Sequence, residues 1–370
     1  MFLALKEMKK EKTRFIMIIL VTVLIAYLVY FLSSLAFGLA QINRTAVNHW
    51  DATGIILTKS SNENIYASMI DEEVVNQIGY SMEETVNVST SAVTFEQAGE
   101  EPEDLILMGF DFNNKRHLPN LTSGEYPAGT HEALISQNIK DRLKVELGDT
   151  IELLTTGRQF TITGFTEDSN YNTRPVIYVE QAMASAAMAM YTTGDQEYDA
   201  ISTPTPNMPN RVSGVLTSDI VDQSILDDYD LQYLEIDTFI NSLPGYQAQV
   251  LTFGLMIVSL VIIAAIIIGI FMYILTMQKR HIFGVLRIQG FKNGTIIQSV
   301  VFQTILVILL GFALGFIFTL LTITFMPKSV PVAISWELFG IITLFSLISS
   351  LIGTTFSSRS ILKIDPLEAL

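Results

Sequence analysis

The chain holds four histidines, His49, His117, His131 and His281, and they are scattered rather than set at metal-ligand spacing. It has no cysteine, so neither a thiolate metal site nor a disulfide framework is open to it. Adjacent carboxylates at Asp71-Glu72-Glu73 and Asp227-Asp228 read as solvated charge. An acid/base dyad would need two carboxyls in environments that split their pKa values. The zinc helix H-E-x-x-H, the nucleophile elbow G-x-S-x-G and the phosphate loop G-x-x-x-x-G-K-[ST] are all missing. Gly290–Thr295 (GFKNGT) has glycines and a lysine, but at the wrong spacing to cradle phosphates. The expectation is a protein without catalytic residues, intrinsic cofactor, metal or ATP site. Any energy it uses must come from a partner.

The most distinctive short segment is Gln278–Gly290 (QKRHIFGVLRIQG). It is basic at Lys279, Arg280 and Arg287, yet apolar at Ile282, Phe283, Val285, Leu286 and Ile288. As a helix it places Ile282, Val285 and Leu286 on one face. Two readings fit. One is a basic loop lying against lipid headgroups; the other is a short docking helix that enters a groove of a soluble partner.

The elements that must position this segment are four long apolar runs, Phe15–Ala40, Val250–Met277, Ile296–Phe325 and Leu338–Phe356. Each approaches or exceeds the about 20 residues a helix needs to cross the hydrocarbon core. Ser34-Leu35-Ala36 could pass for a signal cleavage site. The first run is longer than the roughly 7–15 residues of a signal core, however, which favours a retained helix. None of the runs has an ionisable residue at mid-depth, which argues against an ion or proton pathway.

Charge sets the sidedness, because cytoplasmic flanks collect Lys and Arg. The first fourteen residues carry Lys6, Lys9, Lys10, Lys12 and Arg14; the link after the second run carries Lys279, Arg280, Arg287 and Lys292; the tail carries Arg359 and Lys363. The link between the third and fourth runs has only Lys328. Both termini are therefore expected inside and residues 41–249 outside. Residues 39–247 contain 32 acidic and 10 basic side chains, a net −22, whereas the remainder is +7. So acidic an outer segment argues against a nucleic-acid partner.

The expected organisation is an amphipathic cytoplasmic helix at 1–14 and membrane helices at 15–40, 250–277, 296–325 and 338–356. An extracytoplasmic α+β domain with a membrane-proximal stalk fills 41–249. A cytoplasmic coupling segment follows at 278–295, a short outer loop at 326–337 and a cytoplasmic tail at 357–370. Within the outer domain, Thr53–Lys59, Asp104–Phe110 and Pro175–Glu180 read as strands, and Ile151–Leu154 with Phe160–Phe165 as a hairpin turning near Gly157. Gln181–Tyr191 suits a helix by propensity. Thr203–Asn210 holds three prolines in eight residues and divides two subdomains or forms a long loop. Glu132–Asp149 reads strand, helix, then a Leu-Gly-Asp turn. Asp219–Gln249 reads as a membrane-proximal element or a simple connector.

These features together resemble the permeases of the MacB/FtsX superfamily of ABC transporters. Their cytoplasmic link reads R-R-E-I-G-V-L-K-A-L-G, and Arg280, Gly284-Val285-Leu286-Arg287 and Gly290 fall on that pattern. Ile282 stands where the pattern has an acid, which puts any family salt bridge there in doubt. The amphipathic Leu3–Arg14, the Glu132–Asp149 segment and the tail Arg359–Leu370 (RSILKIDPLEAL) are similar to family segments as well. A narrower likeness is to the haem-exporter permeases of the HrtB type. It rests on Phe283–Gly290, on Asn43-Arg44-Thr45-Ala46 and on Leu243-Pro244-Gly245-Tyr246.

The resemblance implies a homodimer with two copies of a separate ABC ATPase, which would bind ATP and Mg on the permease's behalf. It implies coupling through Lys279, Arg280, Phe283, Gly284, Val285, Leu286, Arg287 and Gly290. Force would pass along the membrane helices to the outer domain, by mechanotransmission. The stretch from Gly245 to Gly290 has no proline, which suits a rigid lever; Gly269 is a soft point in it or an ordinary membrane-helix glycine. If the cargo is haem, entry is from the outer leaflet between subunits. Haem needs apolar walls, a cation for its propionates and an iron ligand. Candidates are Arg44, His49, Tyr171, Arg174, Tyr229, Tyr233 and Tyr246, with Tyr171 and Arg174 the leading pair, three residues apart. Other readings are an exporter of antimicrobial peptides or lipophilic drugs, an FtsX-like transmitter that controls an extracellular hydrolase, and an ATP-independent receptor.

Overall fold

The structure, a computed structural model, describes residues 9–95, 99–154, 157–184, 210–278, 282, 284–285, 288–290, 292–327 and 330–362. The chain divides into two units, one of Met1–Gly38 with Val250–Leu370 and one of Leu39–Gln249.

Among the described residues, four spanning helices, Lys12–Ile42, Tyr246–Gln278, Asn293–Phe325 and Trp336–Leu362, form the first unit, and the first two of them run a few residues into the second. The protein is an integral membrane protein carrying a large external domain. Apolar helices gain little from associating in lipid, so close approach of their backbones has to hold them. The third helix supplies this with Gly311 and Gly315, one turn apart. A Cβ on Gly311 would lie 2.7 Å from Thr22 Cβ, and one on Gly315 would lie 2.7 Å from Ala26 Cβ. Thr22 and Ala26 are also one turn apart, so two small-residue steps meet face to face. The second and fourth helices cross more loosely, since a Cβ on Gly269 would sit 3.7 Å from Gly353, ordinary contact. Gly269 thus marks a helix crossing. Hydroxyl pairs add to the bundle: Tyr30 bonds Thr343, and Thr304 Oγ1 lies 3.3 Å from Thr354 Oγ1.

The second unit is α+β. Its strands are β1 (Gly54–Thr58), β2 (Ile70–Asp71), β3 (Thr85–Phe95), β4 (Gly99–Phe110), β5 (Leu121–Gly124), β6 (Glu132–Ser136), β7 (Thr150–Leu153), β8 (Arg158–Thr166), β9 (Asn170–Tyr171), β10 (Arg174–Glu180), β11 (Arg211–Val212), β12 (Gly214–Thr217) and β13 (Leu231–Glu235). The main sheet runs β13-β1-β12-β3-β4-β10-β6-β8-β5. Because β7 pairs with both β3 and β8, the ladder closes into a six-stranded ring, β3-β4-β10-β6-β8-β7.

Side chains alternate between the faces of a strand, and this alternation sorts the core. Leu105, Leu107, Ile177, Val179, Ala133 and Ile135 fill one buried cluster with Phe160 and Ile162. Their neighbours Ile106, Met108, Val176, Tyr178 and Leu134 point the other way, into a cluster with Trp50, Tyr171, Phe239 and Tyr246. A third cluster, Ile56, Ile70, Val75, Val212, Val215, Leu226 and Leu231, packs the β1-β12-β13 end.

Several expected elements appear with extended or trimmed ends. Asp104–Phe110 is the inner half of β4, the Ile151/Phe160 hairpin is β7–β8, and Pro175–Glu180 lies in β10. Glu132–Asp149 is strand β6, a helix at Gln137–Leu143 and a turn at Gly148 with φ +90°. The expected helix over Gln181–Tyr191 lies outside the described residues beyond residue 184, and Thr203–Asn210 does so except for Asn210. Asp219–Gln249 is divided into several short elements, and its Phe239, Ile240, Leu243 and Tyr246 pack into the outer-domain cluster around Trp50 and Tyr171. Leu231–Glu235 is strand β13, paired with β1 from Gly54↔Glu235 to Thr58↔Leu231, and a helix at Ile236–Ser242 follows. Leu231 and Leu234, three residues apart, fall on opposite faces of the strand, in the third cluster and in the cluster around Trp50, and β1 pairs along it.

Candidate functional site

Tyr171 and Arg174 face each other across the β9–β10 hairpin in register Arg174↔Tyr171, joined by the two-residue turn Asn172-Thr173. Both turn residues are left-handed, Asn172 at φ 49° and Thr173 at φ 70°. A two-residue hairpin of this hand wants Asn then Gly. Asn172 meets the first demand, but a β-branched residue at positive φ is strained. Thr173→Gly is therefore expected to stabilise the hairpin by about 1 kcal/mol, seen as a higher thermal midpoint of the purified protein.

Tyr171 turns inward and is 1% exposed, with the Tyr66 ring edge-on at a centroid distance of 5.8 Å. Burial pushes the Tyr171 phenol well above its usual range. Tyr66 is pushed up to about 12 by burial, with the nearby Arg174 guanidinium working in the opposite direction. Arg174 itself is largely exposed and 4.0 Å from Asp104. The leading pair from sequence is thus a buried ring and a surface cation. The partly exposed phenol beside that cation is Tyr66, some hundred positions away in sequence, and no local pattern could have flagged it.

Tyr246 lies in the same apolar cluster as Tyr171, as does Trp50, which stacks on Phe239 at 5.8 Å. Arg44 is half-buried and its Nε has no hydrogen-bond partner among the described residues. Tyr229 and Tyr233 are elsewhere. They pack against the third cluster, where the Tyr233 ring covers Gly54 so closely that a Cβ there would come within 2.2 Å. Tyr233 is held in β13 and Tyr229 in the turn before it, in a different cluster from Tyr171 and Tyr246.

Two histidines of this region are kept neutral by burial. His49, 3.6 Å from Glu167, is lowered by desolvation against the pull of that carboxylate. His117, 2% exposed with Nδ1 on the Trp50 carbonyl, is lowered by burial, with that hydrogen bond opposing. The unfolded value is about 6.5. A folded value below it means the fold binds fewer protons than the unfolded chain. The stabilising contribution is complete above the unfolded value and is lost as pH falls from there toward the folded value. The thermal midpoint is expected to drop between pH 7 and pH 5, and a His49→Gln/His117→Gln double variant to show a flatter dependence.

In the coupling segment, Ile282, Gly284, Val285 and Ile288 are helical, and Gln289 N–H donates to the Val285 carbonyl at 3.0 Å. Gly290, at φ +92°, ends that turn in the left-handed conformation typical of a glycine stop. Ile282, Val285 and Ile288 are exposed by 45%, 37% and 52%, whereas Gly284 is buried. Lys279, Arg280, Phe283, Leu286 and Arg287 lie outside the described residues.

Comparison with known proteins bears on this arrangement. The MacB-like periplasmic core domain matches residues 15–212, and the FtsX-like permease C-terminal domain matches residues 254–366. A curated protein of Staphylococcus haemolyticus named "Putative hemin transport system permease protein HrtB" is 27% identical over 371 residues, covering 100% of this chain and 99% of its own. A protein of the same name from Staphylococcus epidermidis is 26% identical over 380 residues, with the same coverage. Among solved structures, the periplasmic region of MacB from Actinobacillus actinomycetemcomitans aligns with TM-score 0.33 and 12% identity, over 52% of this chain and 92% of its own. The extracellular domain of the ABC-type transporter YknZ aligns with TM-score 0.32 and 15% identity, over 50% and 100%. With one family domain over more than half its length and a second over most of the rest, the chain belongs to the MacB/FtsX superfamily of ABC-transporter permeases.

Proposed function

We propose that this permease is the membrane subunit of an ABC exporter that expels haem. Two copies would bind two copies of a separate ATPase, whose ATP-driven closure moves the Gln278–Gly290 segment and, through the spanning helices, the outer domain. The observation that carries the reading is the end-to-end similarity to the staphylococcal proteins named as hemin transport permeases. The helical residues Ile282, Val285 and Ile288, with their side chains uncovered, suit docking into a soluble partner better than a wholly polar loop would. Basic flanks on the termini and the coupling segment support a cell-membrane protein with both termini in the cytoplasm and the acidic domain outside.

Haem offers the external domain a flat apolar body and two propionates, and the half-buried Arg44 together with Tyr66 and Arg174 offers two cations and one phenol of the matching kind. Deleting the gene is expected to make growth sensitive to added haem, and the intact gene on a plasmid to restore tolerance. Unchanged haem tolerance with increased sensitivity to a lipophilic drug or antimicrobial peptide would reassign the cargo. Unchanged tolerance to all of them, with altered cell-wall hydrolysis, would favour a transmitter that moves no cargo.

A further inference from the structure

Asn43 follows the last residue of the first spanning helix and is 2% exposed. Its Nδ2 donates to the Leu39 carbonyl at 2.8 Å and to Gln249 Oε1 at 3.0 Å. A backbone carbonyl only accepts, so Leu39 fixes the Asn43 amide with its nitrogen in this direction, and Gln249 must present its oxygen. Gln249 lies in the first turn of the second spanning helix. The carbonyl of Asn43 meanwhile accepts from Asn172 N–H at 2.9 Å, in the turn between Tyr171 and Arg174. Two residues on, Thr45 Oγ1 accepts from Asn170 N–H at 2.7 Å, and Asn170 Oδ1 accepts from Asn138 Nδ2 at 2.8 Å. The backbone of Asn43 and the side chain of Thr45 therefore both bond to the β9–β10 hairpin. A single buried asparagine ties together the outer end of the first helix, the outer start of the second, and the hairpin that bears Tyr171 and Arg174.

We infer that Asn43, bonded to Gln249 and Asn172, is the joint that converts relative movement of the first two spanning helices into movement of the Tyr171–Arg174 hairpin. It is a positioning residue and touches no cargo in this role. Coupling between distant sites needs a physical element that both can bias. Here the element is a hydrogen-bonded three-way contact rather than apolar packing, so it holds direction and cannot slide. The joint also explains why Asn43-Arg44-Thr45-Ala46 and the segment just before Gln249 stand out in the sequence, although Asn43 and Thr45 lack the chemistry to bind a ligand such as haem iron.

The inference rests on the transport reading, and its test separates the two. The permease–ATPase complex is reconstituted in proteoliposomes with haem as the probe, and haem moved per ATP hydrolysed is measured. Asn43→Ala and Gln249→Leu are expected to assemble and hydrolyse ATP as the unaltered complex does, while haem moved per ATP falls about tenfold, the scale of one buried hydrogen bond with its partner left unsatisfied. Gln249→Glu keeps an acceptor oxygen for Asn43 Nδ2 and is expected to retain coupling; a merely structural role would not distinguish it from Gln249→Leu in this ratio. If the unaltered complex moves haem and both Asn43→Ala and Gln249→Leu keep its ratio, the joint is wrong and the transport reading stands. If the unaltered complex moves no haem, the cargo reading fails, and the joint is judged by hydrogen exchange at Asn170 and Asn172. ATP trapping with vanadate is expected to change exchange there in the unaltered complex and not in Gln249→Leu; no change in the unaltered complex overturns the joint.

Discussion

Gly315→Leu is expected to dismantle the membrane unit, with loss of the folded permease from the membrane. A Cβ at this position already falls 2.7 Å from Ala26 Cβ and 2.9 Å from the Tyr27 amide nitrogen, and the nearer obstacle is a short, stiff side chain on a helix backbone. A leucine cannot be housed unless the first and third helices part. Overpacking of this kind costs about 3 kcal/mol or more, because the contact surface of two backbones has no slack. Gly311→Leu strikes the next turn, against Thr22, and should behave alike. Gly269→Ala is the contrast: its added Cβ finds only ordinary contact with Gly353 and should change stability by no more than about 0.5 kcal/mol. Thermal unfolding of the purified protein in detergent reads all three. A Gly315→Leu protein with the unaltered midpoint would show that this crossing does not hold the bundle.

The second large effect is expected at the coupling segment. Replacing Val285 and Leu286 by aspartate should abolish co-purification with the ATPase while the permease stays folded. Val285 is exposed in the protomer, so a charge there costs the isolated chain little. Within a docked groove the same charge would be desolvated without a partner, which costs several kcal/mol and outweighs the affinity of a small interface. Affinity capture of the tagged permease measures this, with thermal unfolding as the folding control. Retained ATPase in the captured complex would remove the docking role.

The architecture was legible in the sequence because its signals are long and strong. Four uncharged runs and the asymmetric Lys/Arg flanks define a membrane protein with one large external segment, and no fine detail of side-chain contact is needed. Short strands with clear alternation or turn glycines, such as the β7–β8 pair, were also readable. Strand β3 (TVNVSTSAVTF) was not, since serine and threonine interrupt its apolar positions. Its inward face is defined only once β4 and β7 lie beside it. β13 was hidden for a different reason. It follows a turn rich in aspartate and precedes the membrane, so its neighbours in sequence suggested a stalk, while its partner β1 is nearly two hundred residues away.

The candidate site divides along the same line. Tyr171 and Arg174 are adjacent across a hairpin, as their spacing allowed, yet their side chains take opposite fates, one buried and one exposed. Spacing places two residues in a hairpin but does not say which faces solvent until the packing against Tyr66 is known. Tyr66 and Gln249 were missed because each acquires its partner through long-range contact. Tyr229 and Tyr233 pack against a different cluster from Tyr171, a separation that only the pairing of β13 with β1 reveals.

On the proposed reading, ATP hydrolysis by a separate subunit drives haem out through this permease. The most direct measurement is haem movement by the purified permease–ATPase complex in proteoliposomes, followed by haem absorbance with and without ATP. Movement is expected to require both subunits and hydrolysable ATP, and to stop with a hydrolysis-defective ATPase. Vigorous ATP hydrolysis by an intact complex with no movement of haem would contradict that reading.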